Sequence, residues 1–209
     1  MTAEGTNPSI RWISWFKWFV ATLIGLIAGL VVFFLIGVTV GEFIDEEFPP
    51  FVFGIVLGTI FGTAFGIAHW LFLRRYLPGT GGWIPATIVA FALAAAIIFG
   101  LLNPENSEPS VLLRISHSIV AGLSLGFAQW LVLRTRLALP ASLWILFSLG
   151  GWIIGELTGI AMENLAEEPL PLMATFLVGA SLPGIGMIWL LRQHFQTTGV
   201  EISSDRAMI

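Results

Sequence analysis

Long apolar stretches, separated by short polar or proline-containing segments, recur six times along the chain. They are 19 to 24 residues long and cover residues 18–41, 51–73, 83–102, 115–133, 143–162 and 170–191. A helix rises about 1.5 Å per residue and the hydrocarbon layer of a bilayer is about 30 Å thick, so each stretch is long enough to cross. The stretches are continuously apolar, whereas a barrel strand would alternate over about 10 residues. The pattern therefore predicts an all-α polytopic membrane protein with six transmembrane helices.

Composition agrees with this class and excludes several others. Hydrophobic residues make up 56% of the chain and charged residues 11%, and the mean hydropathy is +0.91; soluble domains carry about 25% charged residues. The chain has no cysteine, which excludes a disulfide framework and thiolate metal chemistry. No basic run suggests binding to nucleic acid.

Basic and acidic residues lie in alternate connections between the predicted spans. Eight of the nine basic residues lie on one predicted side, namely Arg11, Lys17, Arg74, Arg75, Arg134, Arg136, Arg192 and Arg206. Most tryptophans fall near the same side, while the opposite connections are acidic. By the positive-inside rule the basic side is cytoplasmic, so both termini are expected in the cytoplasm.

A repeat of about 60 residues organises the six spans. With that shift, the segment Trp70-Leu71-Phe72-Leu73-Arg74 falls on Trp130-Leu131-Val132-Leu133-Arg134, and Pro49, Pro109 and Pro169 coincide. Each unit holds one outward and one return span, so successive units enter from the same side and are parallel repeats. We expect three helical hairpins, at residues 12–75, 83–136 and 143–192, between tails at 1–11 and 193–209.

Small residues recur at every fourth position of several spans. The stripes of spans 2 and 4 include Gly54, Gly58, Gly62, Gly66, Gly122 and Gly126. Such stripes let helix backbones approach closely in lipid. Two interpretations are open: packing within the chain, or a stripe that faces outward and binds a second copy or a protein partner.

Polar residues within the apolar spans are candidates for a site, because burying them is costly. Glu156 lies about 9 Å of helix inside the external end of span 5. Arg114 and His117, three residues apart at the external end of span 4, could reach it. The cluster is either an interhelical clamp or a proton, ion or ligand site.

His69 and Gln129 correspond in the repeat, since each directly precedes a shared tryptophan. They either bridge helices near the interface, or His69 ligates a pigment or haem. No histidine has a helical partner at metal-ligand spacing, so we expect no metal site built by the protein.

Pro183 and Gly184 should kink or open span 6, because proline removes a backbone donor. Interrupted helices line substrate paths in transporters, which favours a transport role to some degree.

The segment Gly122-Leu123-Ser124-Leu125-Gly126 fits the G-x-S-x-G pattern of serine hydrolases. The pattern requires a strand-to-helix turn and a neighbouring base, and neither is expected within span 4. We therefore expect no catalytic residues and no enzyme activity.

The tandem glycines followed by Gln129-Trp130-Leu131-Val132-Leu133-Arg134 resemble a group of uncharacterised multi-span bacterial membrane proteins that is familiar in cyanobacteria. The resemblance covers spans 2 to 5 and transfers no activity and no catalytic residue. It implies a bacterial plasma membrane or a thylakoid membrane.

Three functional hypotheses follow from the sequence. The first is a non-enzymatic scaffold or accessory subunit of a membrane complex. The second is a small transporter or channel that uses Glu156 and the break at Pro183. The third is a membrane protein that binds a pigment, haem or lipid; the sequence does not identify a cofactor.

Overall fold

The computed structural model of the chain describes residues 13–40, 49–102, 110–137, 141–163, 165, 167 and 170–198, with the side chains of residues 37–40 left out. The residues 1–11 of the predicted N-terminal tail, residues 199–209 of the C-terminal tail and most acidic residues of the predicted external connections lie outside this part of the chain.

Six α-helices make up the described part of the chain. They are α1 (Ile13–Val40), α2 (Pro50–Leu73), α3 (Trp83–Leu101), α4 (Val111–Leu133), α5 (Leu143–Met162) and α6 (Leu170–Thr198), with a short 3₁₀ turn at Thr80–Gly82. All six are long and apolar enough to cross a membrane. The prediction of an all-α chain with six such helices is confirmed, and this architecture is compatible with a multi-pass membrane protein.

Local sequence explains where several helices begin and end. Pro50 occupies the first turn of α2, where its missing N–H costs nothing. Ser110 caps α4 by accepting a hydrogen bond from the Leu113 amide at 3.2 Å, so this helix begins four residues before the predicted span. Helix α6 continues seven residues past the predicted span, so residues 193–198 of the predicted tail are helical.

The helices form a closed ring in chain order. Each helix packs against its neighbours in the chain, and α6 returns to pack against α1. At this closing contact the Trp15 indole donates to the Ser181 carbonyl at 3.1 Å. A Cβ built on Gly184 would lie 2.8 Å from Cδ1 of Trp18, so only a glycine allows α1 so close.

The buried core sits at one end of the ring, where α1, α3 and α5 begin and α2, α4 and α6 end. We call this end the tryptophan end, because Trp18, Trp83 and Trp144 are buried there at 1%, 0% and 1% exposure. Leucines of the even-numbered helices fill the space beneath them, including Leu73, Leu133, Leu190 and Leu191. Much of the outer surface is apolar, as expected for helices that contact lipid.

The glycine stripes lie at the contacts between neighbouring helices of the ring. A Cβ on Gly58 would meet the Ala92 Cα of α3 at 2.6 Å, and one on Gly122 would meet the Leu149 Cα of α5 at 2.8 Å. All six glycines named above as a candidate partner surface, Gly54, Gly58, Gly62, Gly66, Gly122 and Gly126, are buried against a neighbouring helix. They are therefore not available to a second copy, because helices of the same chain already cover them.

Candidate functional site

A cavity lies at the centre of the ring and is lined by side chains from all six helices. Its volume is about 70 Å³, and it is half open rather than enclosed. The lining residues, together with the buried Trp83 beside Trp18 and Trp144, form three successive layers, counted from the tryptophan end. We name these the tryptophan layer, the polar layer and the apolar layer.

The tryptophan layer closes one end of the cavity. Trp18, Trp83 and Trp144 form a triangle with ring-centroid distances of 6.3 Å, 5.8 Å and 5.8 Å. Their rings meet edge to face or tilted, which is the favourable arrangement for aromatic quadrupoles. Together with the buried leucines beneath, the triangle blocks passage toward the tryptophan end.

The polar layer lies one helical turn further in and consists of buried side chains. Its members are Thr22, His69, Thr87, Gln129 and Ser148, each between 0% and 9% exposed. Thr22, Thr87 and Ser148 each follow a layer tryptophan by four residues, so helical geometry places them directly above it. Five helices therefore each bring one polar side chain to the same depth.

Hydrogen bonds connect most of this layer. Gln129 Nε2 donates to Thr87 Oγ1 at 3.1 Å, and the Trp144 indole donates to Gln129 Oε1 at 3.0 Å. Thr87 in turn donates to the Trp83 carbonyl at 2.8 Å. The Gln129 side chain thus joins three helices, because its amide both donates and accepts.

His69 is held between two residues of α1. Its Nε2 lies 2.9 Å from Thr22 Oγ1, and its ring stacks on Trp18 with centroids 4.2 Å apart and an interplanar angle of 11°. The prediction that His69 and Gln129 occupy related positions agrees with their shared depth in the polar layer. Their role as ligands to a cofactor stays a prediction.

The apolar layer lies one helical turn beyond the polar layer. Phe65 and Phe91 stack at 5.4 Å, and Trp152 lies 6.3 Å from Phe91 and 6.4 Å from Phe176. Leu125 completes the layer from α4. On the α6 side the lining residues are only partly buried, and these are Thr175, Phe176, Gly179, Ala180 and Pro183.

Pro183 belongs to this α6 wall, but it does not break the helix. Helix α6 is continuous through Pro183 and Gly184, so the helix is not opened there, and the expected kink stays a prediction. Gly151 of α5 leaves room for the proline, since a Cβ at Gly151 would lie 2.8 Å from the Pro183 Cγ. Because Pro183 has no N–H, the Gly179 carbonyl lacks its usual helical donor, and this oxygen faces Gly151 of α5.

The second group of candidate residues lies at the opposite end of the ring. Arg114 Nε donates to Glu156 Oε1 at 2.6 Å, and Arg114 also pairs with Glu163. His117 instead lies with Nε2 3.3 Å from the Leu102 carbonyl at the end of α3. The structure thus brings Arg114 and Glu156 together, adds Glu163, and places His117 against another helix.

Sequence reasoning missed the cavity itself, together with Thr22, Thr87 and Ser148. A signal was present: Trp-x-x-x-Thr or Trp-x-x-x-Ser begins at Trp18, Trp83 and Trp144. These tryptophans are 65 and 61 positions apart, so a fixed shift of 60 residues does not superimpose them.

Fold and site together fit a multi-pass membrane protein with a cavity among its helices. Comparison with protein-family models, with curated proteins and with solved structures found no match.

Proposed function

We propose that this chain is a non-enzymatic membrane protein that binds a small lipophilic molecule in the central cavity. The observation that carries the proposal is the polar layer, which is buried between an apolar layer and a tryptophan plug. Polar side chains within membrane helices are costly and mark functional sites by default. Apolar walls with a few convergent polar groups are typical of small-molecule sites.

The size and shape of the cavity define what it can hold. A cavity of about 150 Å³ accommodates a benzene ring, so the present 70 Å³ suits a polar head group and a short alkyl segment. The rest of a longer molecule would extend out of the cavity along α6, whose lining residues are only partly buried. A haem or chlorophyll macrocycle is too large, since cofactor pockets are typically about 300–1,000 Å³.

The scaffold hypothesis rested on glycine stripes and acidic external connections that would bind partners. The six glycines pack against helices of the same chain, so they no longer favour it. Most of the acidic residues lie outside the described residues. A transport role keeps one specific support, because Pro183 and Gly179 line the cavity on the α6 side. Flux of a bound molecule across reconstituted vesicles would favour transport over binding alone.

The repeat supports a particular arrangement of the ring. We propose three parallel hairpins around an axis along the membrane normal. The tryptophan triangle supports this, and so does the repetition of a cation–π pair in which Arg74 lies over Trp70 at 4.8 Å and Arg134 over Trp130 at 5.2 Å. The positive-inside rule places the tryptophan end in the cytoplasm.

A pair of size-matched substitutions tests the binding proposal. Ala180→Phe fills the cavity from α6, whereas Ala161→Phe adds the same ring at an exposed position of α5. Native mass spectrometry of protein gently extracted from its own membrane should show a bound small molecule in the wild type and in Ala161→Phe, and none in Ala180→Phe. A wild type without a bound molecule, or identical adducts in all three proteins, would contradict the proposal.

A further inference from the structure

Among the described residues, one side chain of the polar layer makes no hydrogen bond. Thr22 and Thr87 each donate to the carbonyl of the residue four positions earlier, at 3.1 Å and 2.8 Å. Ser148 occupies the equivalent place on α5, four residues after Trp144, but its hydroxyl has no hydrogen-bond partner within the described ranges. Buried polar groups are nearly always paired, so this hydroxyl requires a partner that the described part of the chain does not supply.

The Ser148 hydroxyl can be reached from the cavity. The residue lines the cavity and is only 3% exposed, so the surface that it keeps faces the cavity. In the part of the chain that the structure describes, the unpaired polar atoms with almost no accessible surface are Nδ1 of His69 and Nε1 of Trp83, and the Ser148 oxygen is not among them. On the α4 side, a Cβ built on Gly126 would lie 3.1 Å from the Ser148 Cβ, and a glycine offers no side-chain partner.

The polar layer has more hydrogen-bond protons than it uses. Thr22 donates its one hydroxyl proton to a carbonyl, so the 2.9 Å contact with His69 Nε2 is donated by the histidine. The Gln129 amide carries two protons but donates a single bond within the described residues, to Thr87. The Ser148 proton is also unused. An unused second lone pair on oxygen is tolerated more readily than an unused proton, so the layer needs a further acceptor.

We infer that the cavity recognises the carbonyl group of a lipophilic molecule, whose oxygen accepts a hydrogen bond from the Ser148 hydroxyl. This inference rests on the proposed function and names the chemistry of its ligand. A ketone or ester oxygen accepts without bringing a proton of its own, whereas an alcohol adds a further proton to a layer that already has two unused. A carbonyl is also neutral, so burying it avoids the high cost of burying a charge. Ser148 is thereby the residue that determines the specificity of the cavity.

Three probes with the same carbon skeleton separate the parts of this inference. 2-Undecanone only accepts, 2-undecanol accepts and donates, and undecane does neither. In nanodiscs of ether-linked phospholipid, which contains no carbonyl group, we expect the wild type to bind 2-undecanone about fivefold more tightly than undecane, because the ketone gains one hydrogen bond. It should also bind the ketone more tightly than 2-undecanol. Binding is measured as the excess of probe over matched empty nanodiscs.

Infrared spectroscopy reports the hydrogen bond itself. The carbonyl stretch of bound 2-undecanone should lie at lower wavenumber than in empty nanodiscs, because accepting a hydrogen bond weakens the C=O bond. Ser148→Ala should abolish this shift and the preference for the ketone over undecane. The variant should fold, since the hydroxyl that it removes has no partner in the described chain. Ser118→Ala is the matched control and should change neither result, because Ser118 is also 3% exposed but lies away from the cavity.

The lipid of the nanodisc distinguishes two sources of the carbonyl group. Ester-linked phospholipid carries carbonyl groups that can compete with the ketone. Weaker binding of 2-undecanone in ester-linked than in ether-linked nanodiscs would assign the carbonyl to a membrane lipid. Equal binding in both would assign it to a separate lipophilic molecule.

The outcomes separate this inference from the proposed function. An unshifted carbonyl band in the wild type, a shift that persists in Ser148→Ala, or binding of 2-undecanol at least as tight as that of the ketone would overturn the inference. Equal binding of all three probes, lost in Ala180→Phe, would reject carbonyl recognition and leave a cavity for lipophilic molecules. Failure of every probe to bind the wild type would reject both.

Discussion

At the scale of single residues, Arg114 is the charged residue that joins two helices at the end of the ring opposite the tryptophans. It pairs with Glu156 and Glu163, and the side chains of Arg114 and Glu156 are 24% and 16% exposed. One cation thus balances the partly buried carboxylate of Glu156 in α5 and the exposed carboxylate of Glu163 directly after α5. The contact therefore ties the two helices together, and loss of the arginine leaves two negative charges facing each other.

This arrangement predicts unequal effects of neutralising the two partners. Arg114→Gln should lower the free energy of unfolding by about 1.5–3 kcal/mol, the range for hydrogen bonds to charged groups. Glu156→Gln should cost less, because Arg114 still pairs with Glu163. Thermal denaturation in nanodiscs measures both. If Glu156→Gln removed the molecule bound in the cavity, as seen by native mass spectrometry, without loss of stability, the clamp interpretation of Glu156 would be wrong.

Gln129 offers a second prediction at this scale. Gln129→Leu replaces the amide by an apolar side chain and leaves the buried Trp144 indole without its acceptor. We expect a loss of about 1–3 kcal/mol in stability, the cost of a buried unsatisfied donor. Urea or detergent-induced unfolding measures it, and Trp144→Phe in the Gln129→Leu background should recover part of the loss. No recovery in the double variant would show that the indole bond is not the cause.

At the scale of helices, close backbone contact decides which helices can be neighbours. The glycines of α2 touch the backbone of α3, and those of α4 and α5 play the same role toward α5 and α6. Backbone cannot move aside as a flexible side chain can. These contacts therefore hold the ring in its sequential order, and the cavity exists only while they are made.

Two glycine-to-alanine changes test this distinction. Gly58→Ala should strongly destabilise or misassemble the protein, because its Cβ would lie 2.6 Å from the Ala92 Cα. Gly179→Ala should be tolerated, since its nearest atom is the Gly151 carbonyl oxygen at 3.4 Å. The yield of monodisperse protein on size exclusion measures both. Equal yields would contradict the assignment of Gly58 to a backbone contact.

At the scale of the whole molecule, two distinct ends are separated by the membrane-spanning ring. The tryptophan end carries Arg74, Arg75, Arg134 and Arg136 in its connections, and Glu163 and Leu165 lie at the other end. The proposed orientation therefore assigns each connection to one side of the membrane.

The lack of cysteine makes this orientation directly measurable. Single variants Gly81→Cys and Thr135→Cys lie in connections at the tryptophan end, and Leu165→Cys lies at the opposite end and is 82% exposed. A membrane-impermeant maleimide applied to intact cells should label only Leu165→Cys. The other two should react only in inverted vesicles, and labelling of Gly81→Cys in intact cells would reverse the proposed topology.

Helix number and type were predictable because a bilayer demands long apolar segments. The ring and its cavity were not, since apolar helices carry no signal for which helix lies beside which. Glu156 stood out as a lone carboxylate and was found with Arg114. Thr22 and Ser148 did not stand out, because single hydroxyls are common in membrane helices and often bond to their own backbone. Only the arrangement of the packed helices shows that Thr22 and Ser148 lie at the same level of the ring as His69.

Because α1 and α6 are neighbours in the ring, the same fold could form if the helices were joined in a different order along the chain. The start of α1 and the end of α6 lie at the same end of the ring, and the two helices are in contact through Trp15 and Gly184. A short linker could therefore join them, and new ends could be opened in the connection between α4 and α5. Such a circular permutant should assemble the same cavity from a rearranged gene, since exposed connections tolerate new termini.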